Sequence, residues 1–145
     1  MRAVVTRCSA ASVEVAGEIV GQLPQPGLLV LLGITHDDDE ATAQKVVRKL
    51  AGLRILEGER SVLDESAPVL VVSQFTLYGD VRKGRRPSWS AAAGREQSEP
   101  LVEHFCKLLR EAGLRVETGV FGAMMRVHSV NEGPFTVVID SADLA

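Results

Sequence analysis

The chain has 145 residues, 46% hydrophobic and 24% charged, proportions that predict one folded domain, residues 1–145, with a true hydrophobic core and exclude a disordered polypeptide. No apolar run approaches the roughly 20 residues of a membrane helix, and Met1-Arg2-Ala3-Val4-Val5 begins strand-like without a leader pattern, so a cytoplasmic protein without membrane contact is expected. At a net charge of −3, any nucleic-acid binding must rest on a local basic patch and not on the overall field.

In chain order, residues 2–8 are predicted as a strand, and Ser12 to Leu23 as a hairpin turning at Ala16-Gly17, with Val13 and Val15 alternating before the turn. Gly27 to Gly33 is a continuous apolar run bounded by glycines, the pattern of a fully buried strand. His36-Asp37-Asp38-Asp39-Glu40 opens a helix, with Asp37 and Glu40 spaced as a capping box. Ala43, Val46, Val47 and Leu50 form its apolar face, and Gly52 is its stop. A strand over 53–56, a polar loop over 57–67 and a strong strand over 69–78 follow. A second helix is predicted from Pro100 to Ala112, ended by Gly113, with Val102, Phe105, Leu109 and Ala112 on its core face. Strands near 114–118, 124–130 and 135–140 complete a mixed α/β pattern with much antiparallel pairing and two main helices.

Three segments carry the candidate chemistry. In Val69–Tyr78, strand alternation sets Ser73 and Phe75 on one face and Gln74 and Thr76 on the other. Three polar side chains thus interrupt a core strand; either they need buried partners or the strand emerges at a sheet edge, and the pattern alone favours the edge. Asn131-Glu132-Gly133-Pro134-Phe135-Thr136 is a turn signal, locally read as a plain trans-proline hairpin turn. Arg82-Lys83-Gly84-Arg85-Arg86-Pro87-Ser88-Trp89 is basic with the sole tryptophan behind it. Such a loop is either solvated surface or a phosphate-holding segment with a stacking aromatic.

The remaining candidates point away from familiar chemistries. His36, His104 and His128 lack ligand spacing, so no metal site is expected, and Met124 and Met125 read as core residues. Cys8 and Cys106 form no CxxC pair, and Cys106 reads as a small buried hydrophobe. No GxSxG elbow, GxxxxGK loop or GxGxxG fingerprint is present, and no cofactor is expected.

Together the segments resemble the D-aminoacyl-tRNA deacylase family, whose signatures read Ser-Gln-Phe-Thr and Asn-x-Gly-Pro-x-Thr. Both stand in order, at Ser73–Thr76 and at Asn131–Thr136, and the likeness extends to 1–5, 27–33, 83–88 and 119–123. Glu132, Phe135 and Ser129 depart from the usual Asp, Val and larger apolar residue, and loop 57–67 is short. The resemblance implies a barrel-like, largely antiparallel core in a homodimer acting on the 3′ acceptor end of aminoacyl-tRNA. It implies catalytic roles for Ser73, Gln74, Phe75 and Thr76, with backbone N–H groups near Phe75 and Thr76 holding the oxyanion. A cis Gly133-Pro134 unit from the partner would exclude L-substrates, with Asn131, Phe135, Thr136 and Met125 supporting the pocket. Arg82, Lys83, Arg85 and Arg86 become candidate tRNA contacts. An RNA-binding module that has lost hydrolysis and a hydrolase of free D-amino acid esters are the rival readings.

Overall fold

Burial along Arg2–Val15 alternates but slips phase twice: Ala3 and Val5 are buried, then Cys8, then Ala11 and Val13. In the computed structural model, which describes residues 1–145, this segment is one strand, β1, and the slips coincide with register shifts in its pairing. The predicted strand over 2–8 therefore runs on into the hairpin. Ala16 and Gly17 take the left-handed conformation that a two-residue hairpin turn requires, and β2 (Glu18–Gln22) returns against β1.

Strand β3 (Gly27–Gly33) is almost wholly buried, as its apolar run predicts. It pairs antiparallel with the first half of β1, and β4 (Val69–Ser73) and β5 (Val116–Thr118) add in parallel. Strand β6 (Met125–Asp140) covers the other edge of β1 along nearly its whole length. Here β2 and β5 approach so closely that a side chain at Gly21 would meet the Thr118 carbonyl at 2.1 Å. The sheet thus curls into a nearly closed barrel, with Cys8, Ala11, Val13, Leu23, Leu29, Leu70 and Val72 packed together as a small core. Burial inside this core raises the Cys8 thiol pKa.

The larger core packs helix α1 (Glu40–Gly52) and helix α3 (Arg95–Glu111) against the opposite sheet face. Helix α1 buries the predicted Ala43, Val46, Val47 and Leu50. Its cap is Asp39, reciprocally bonded with Thr42, and not Asp37 with Glu40. Asp38 is instead buried, accepting from the Met1 ammonium at 2.6 Å and the Thr35 N–H at 2.8 Å.

Other expectations are corrected. Residues 53–56 form no strand, and loop 57–67 contains a short helix, α2 (Val62–Glu65), capped by Ser61 and anchored by buried Val62. Helix α3 begins before Pro100, which occupies an exposed position in its second turn, where the lost N–H bond leaves a carbonyl facing solvent. Leu101, Phe105, Cys106 and Leu109 make its core face; Ala112 is exposed. Strands 124–130 and 135–140 are one strand, because both halves pair with β1. We expect Phe105→Ala, at a side chain with 0% exposure, to lower unfolding free energy by about 3–5 kcal/mol. Ala112→Ser should stay within about 0.5 kcal/mol; denaturant midpoints measure both.

Candidate active site

Parallel pairing of β3 and β4 brings their carboxyl ends side by side, and crevices outside such ends are where open α/β sheets bind ligands. Here β4 stops at Ser73, five residues short of the predicted strand end. Phe75–Tyr78 turns into a single 3-10 helix. The face assignment from strand alternation fails beyond Ser73 for that reason. The turn brings Ser73, Gln74, Phe75 and Thr76 together along one wall of a cavity of about 650 Å³. Neither a sheet edge nor a buried strand describes them: they are a strand end folded over a pocket.

The turn leaves polar groups available. No side chain caps its first N–H groups. The Leu77 N–H bonds back to Gln74, which leaves those of Phe75 and Thr76 as the unsatisfied donors expected at a helix start. The Gln74 side-chain amide donates to the Thr76 hydroxyl. Phe121 to Met125, Val127 and Val102 form the opposite, largely apolar wall. Met125 is a pocket residue, while Met124 is 91% exposed at the rim and not in the core. Val102, predicted to face the core, also serves the pocket. The one ionisable side chain in the lining is Arg95, paired with Glu99 at 2.8 Å and stacked over Phe121.

The basic segment sits beside this pocket. Asp80 and Ser88 exchange backbone hydrogen bonds, closing residues 81–87 into an exposed loop. Trp89 packs edge-on to Phe75, with ring centroids 5.5 Å apart, and joins the loop base to the pocket wall. A side chain at Gly79 would strike the Trp89 ring at 2.6 Å. Arg82 folds back onto Asp80, and its hydrogen bonds hold that carboxyl pKa down to about 2. Lys83, Arg85 and Arg86 are exposed and make no ion pair.

Gly133 and Pro134 lie elsewhere. In the β1–β6 ladder, Thr6 pairs with Thr136 and Cys8 with Asn131, so Arg7 alone faces residues 132–135. The segment is a bulge in a continuous strand and not the hairpin turn that its local sequence suggests. The Gly133-Pro134 bond is cis. Arg7 organises the bulge: it donates to the Glu132 carbonyl at 3.1 Å and the Gly133 carbonyl at 3.3 Å, and its guanidinium lies 4.6 Å over the Phe135 ring. Asn131 donates to the Arg7 carbonyl. Sequence reasoning missed Arg7; its position opposite the Gly-Pro turn follows only from the pairing of two strands more than a hundred residues apart. Neither Gly133 nor Pro134 lines the pocket of its own chain. Arg7 pairs with Leu28 and Ser73 with Leu32, so the two sites lie about 13 Å apart along the strand direction.

Comparison with known proteins identifies the fold and the family. The family model described as D-Tyr-tRNA(Tyr) deacylase matches residues 4–140. A D-aminoacyl-tRNA deacylase of Micrococcus luteus is 60% identical, covering 100% of this chain and 97% of its own. One of Thermobifida fusca is 61% identical, covering 97% and 99%. Among solved structures, c-Myc DNA unwinding element binding protein superposes with a TM-score of 0.89 at 39% identity, covering 97% and 98% of the two chains. A probable eukaryotic D-amino acid tRNA deacylase shares the fold at a TM-score of 0.85 and 19% identity, covering 95% and 97%. The chain belongs to the D-Tyr-tRNA(Tyr) deacylase family.

Proposed function

We propose that the protein hydrolyses the ester joining a D-amino acid to the 3′ end of tRNA, releasing free D-amino acid and tRNA, and so proofreads chirality in translation. The observation that carries this reading is the pocket at Ser73–Thr76, whose single ionisable side chain is already ion-paired. No side chain there is placed to act as a general base, so attack draws on neutral groups and on the substrate. A ribose hydroxyl of the terminal adenosine assists the water as it adds to the ester carbonyl carbon. The N–H groups of Phe75 and Thr76 take up the oxyanion. Collapse breaks the acyl–oxygen bond, and the ribose oxygen leaves with the proton lost by the water. Ser73 and Gln74 shape the turn that aims these donors.

Selectivity is assigned to the Gly133–Pro134 main chain of a second copy. Enantiomers carry the same groups, so once the ester and amino group are fixed they differ only in which side the side chain occupies. A main-chain wall on one side admits hydrogen and collides with carbon. Three features support a homodimer: the bulge lies outside its own pocket, Arg7 holds it exposed, and Val127, Val130 and Val138 leave apolar surface on β6, whose outer edge has no partner strand. Asn131, Phe135 and Thr136 support the bulge, and Met125 the receiving pocket. Glycyl-tRNA, with hydrogen on both sides, would not be excluded by shape. The site of action is the cytoplasm, where tRNA is charged.

Matched D- and L-tyrosyl-tRNA test the proposal: rapid release from the D-ester only is expected, and binding without turnover would replace it with an RNA-binding role. Arg7→Ala should lower the D/L ratio by about 10²-fold, the scale of a 1 Å misplacement. Thr76→Ala should cost less than the 10²–10³-fold that is typical of losing one oxyanion donor, because the donor is a backbone N–H; a larger loss would make the hydroxyl catalytic. Among the loop cations, Lys83→Ala, Arg85→Ala and Arg86→Ala should each flatten the slope of log affinity against log salt by about 0.7–0.9. Arg82→Ala should do so less, since Asp80 already compensates Arg82.

A further inference from the structure

Half of the 16 lysines and arginines of this chain are occupied. Arg2, Arg60, Arg82, Arg95, Lys107 and Arg115 pair with carboxylates, and Arg7 and Arg110 bind carbonyls. Those without such a partner gather in two places, apart from Arg126: the loop Lys83–Arg86, and a stripe on α1. Lys45, Arg48 and Lys49 are exposed at i, i+3 and i+4, so they share one helix face, and Arg54 follows just past the helix end. With Asp143, these residues line a concave surface of about 560 Å³. Asp39 lies near Lys45 and Asp64 near Arg54, so the surface is positive but not exclusively so. The helix dipole favours cations in its last turn, which suits Lys49 but does not account for Lys45, Arg48 or Arg54.

The position of the stripe matters more than its charge. Arg54 precedes Ile55, whose carbonyl accepts from the same Arg7 guanidinium that holds the Gly133 carbonyl, at 3.5 and 3.3 Å. Arg54, at one end of the stripe, therefore lies beside the Gly-Pro bulge, at the opposite end of the parallel strands from its own Ser73–Thr76 pocket, while Lys45 at the other end lies near Asp39.

We propose that Lys45, Arg48, Lys49 and Arg54 form a second contact for the phosphate backbone of tRNA, and that they serve the pocket of the partner copy. The inference rests on the deacylase and homodimer readings above. A bulge that closes the partner's pocket carries its neighbouring stripe to that pocket's mouth. There the stripe of one copy and the Lys83–Arg86 loop of the other flank the RNA from two sides. This lets a chain of net charge −3 hold a polyanion through two local positive surfaces.

The test uses the full chain with all four residues changed to Gln, assayed on D-tyrosyl-tRNA over a range of salt and on a D-tyrosyl ester of adenosine, which has no phosphate. Expected is a salt slope flatter by about three for four lost contacts, a raised KM for the tRNA ester, and unchanged turnover of the adenosine ester. An unchanged slope overturns the contact. Failure of the unaltered protein to cleave either ester overturns the deacylase reading instead, and a monomer in sedimentation overturns the dimer. Mixed dimers with one pocket blocked by Ala123→Trp separate the two arrangements. Placing the four Gln changes in the blocked chain should flatten the slope, and placing them in the unblocked chain should not. The reverse result overturns service to the partner.

Discussion

Strand β1 is hydrogen-bonded along both edges, to β6 on one side and to β3 and then β2 on the other, and the placement of the whole site follows from this. On the β3 side it fixes where the parallel pair β3–β4 ends, and so where Ser73–Thr76 can turn over a pocket. On the β6 side its register shifts at Thr6/Cys8 and Cys8/Ala10 leave Arg7 facing a bulge that no ladder bond can absorb. Arg7 then supplies the hydrogen bonds that the bulged carbonyls lack. The same shifts appear in the strand's burial pattern, because each slip moves the inward set of side chains by one position.

One pairing thus separates the two signatures within a chain and orients them to opposite ends of the parallel strands. In the proposed dimer that separation is useful: the pocket supplies donors for charge development, while an independent, rigidly held main chain supplies exclusion. Stabilising the reaction and rejecting the wrong enantiomer can then be adjusted by different residues. The pocket needs few polar groups for its part, and Phe121, Met125 and Val127 add apolar surface to its lining; oriented N–H donors act most strongly once a bound substrate excludes water.

The electrostatic design follows similar economy. Glu99, Asp80 and Asp140 quench Arg95, Arg82 and Arg2 close to the pocket end of the molecule, which leaves few cations exposed to an incoming phosphate. Those left are concentrated in short segments. Local concentration matters because exposed charges farther apart than about 8–10 Å are screened from one another at physiological salt. A uniform surplus of lysine would attract any polyanion; clustered cations can favour one trajectory.

Local sequence was sufficient wherever one element's own periodicity decided the outcome. The buried run of β3, the hairpin at Ala16-Gly17, the apolar face of α1 and the two signature segments were all legible, since side-chain spacing and turn chemistry act within a few residues. Local pattern misled where a neighbour intervened. Phe75 and Thr76 have strand-like composition but leave the strand at Ser73, and Ala112 follows the helical period but faces solvent. The Asn131–Thr136 signature read as a hairpin turn because nothing local reveals that the same β1 strand receives both sides of it. The sequence by itself determined the two signature segments, Ser73–Thr76 and Asn131–Thr136, and their resemblance to the family's motifs pointed to the family. Only the tertiary structure decided which of them meet, because the Arg7 contact and the separation of the two signatures depend on registers between distant strands, and no spacing along the chain encodes those.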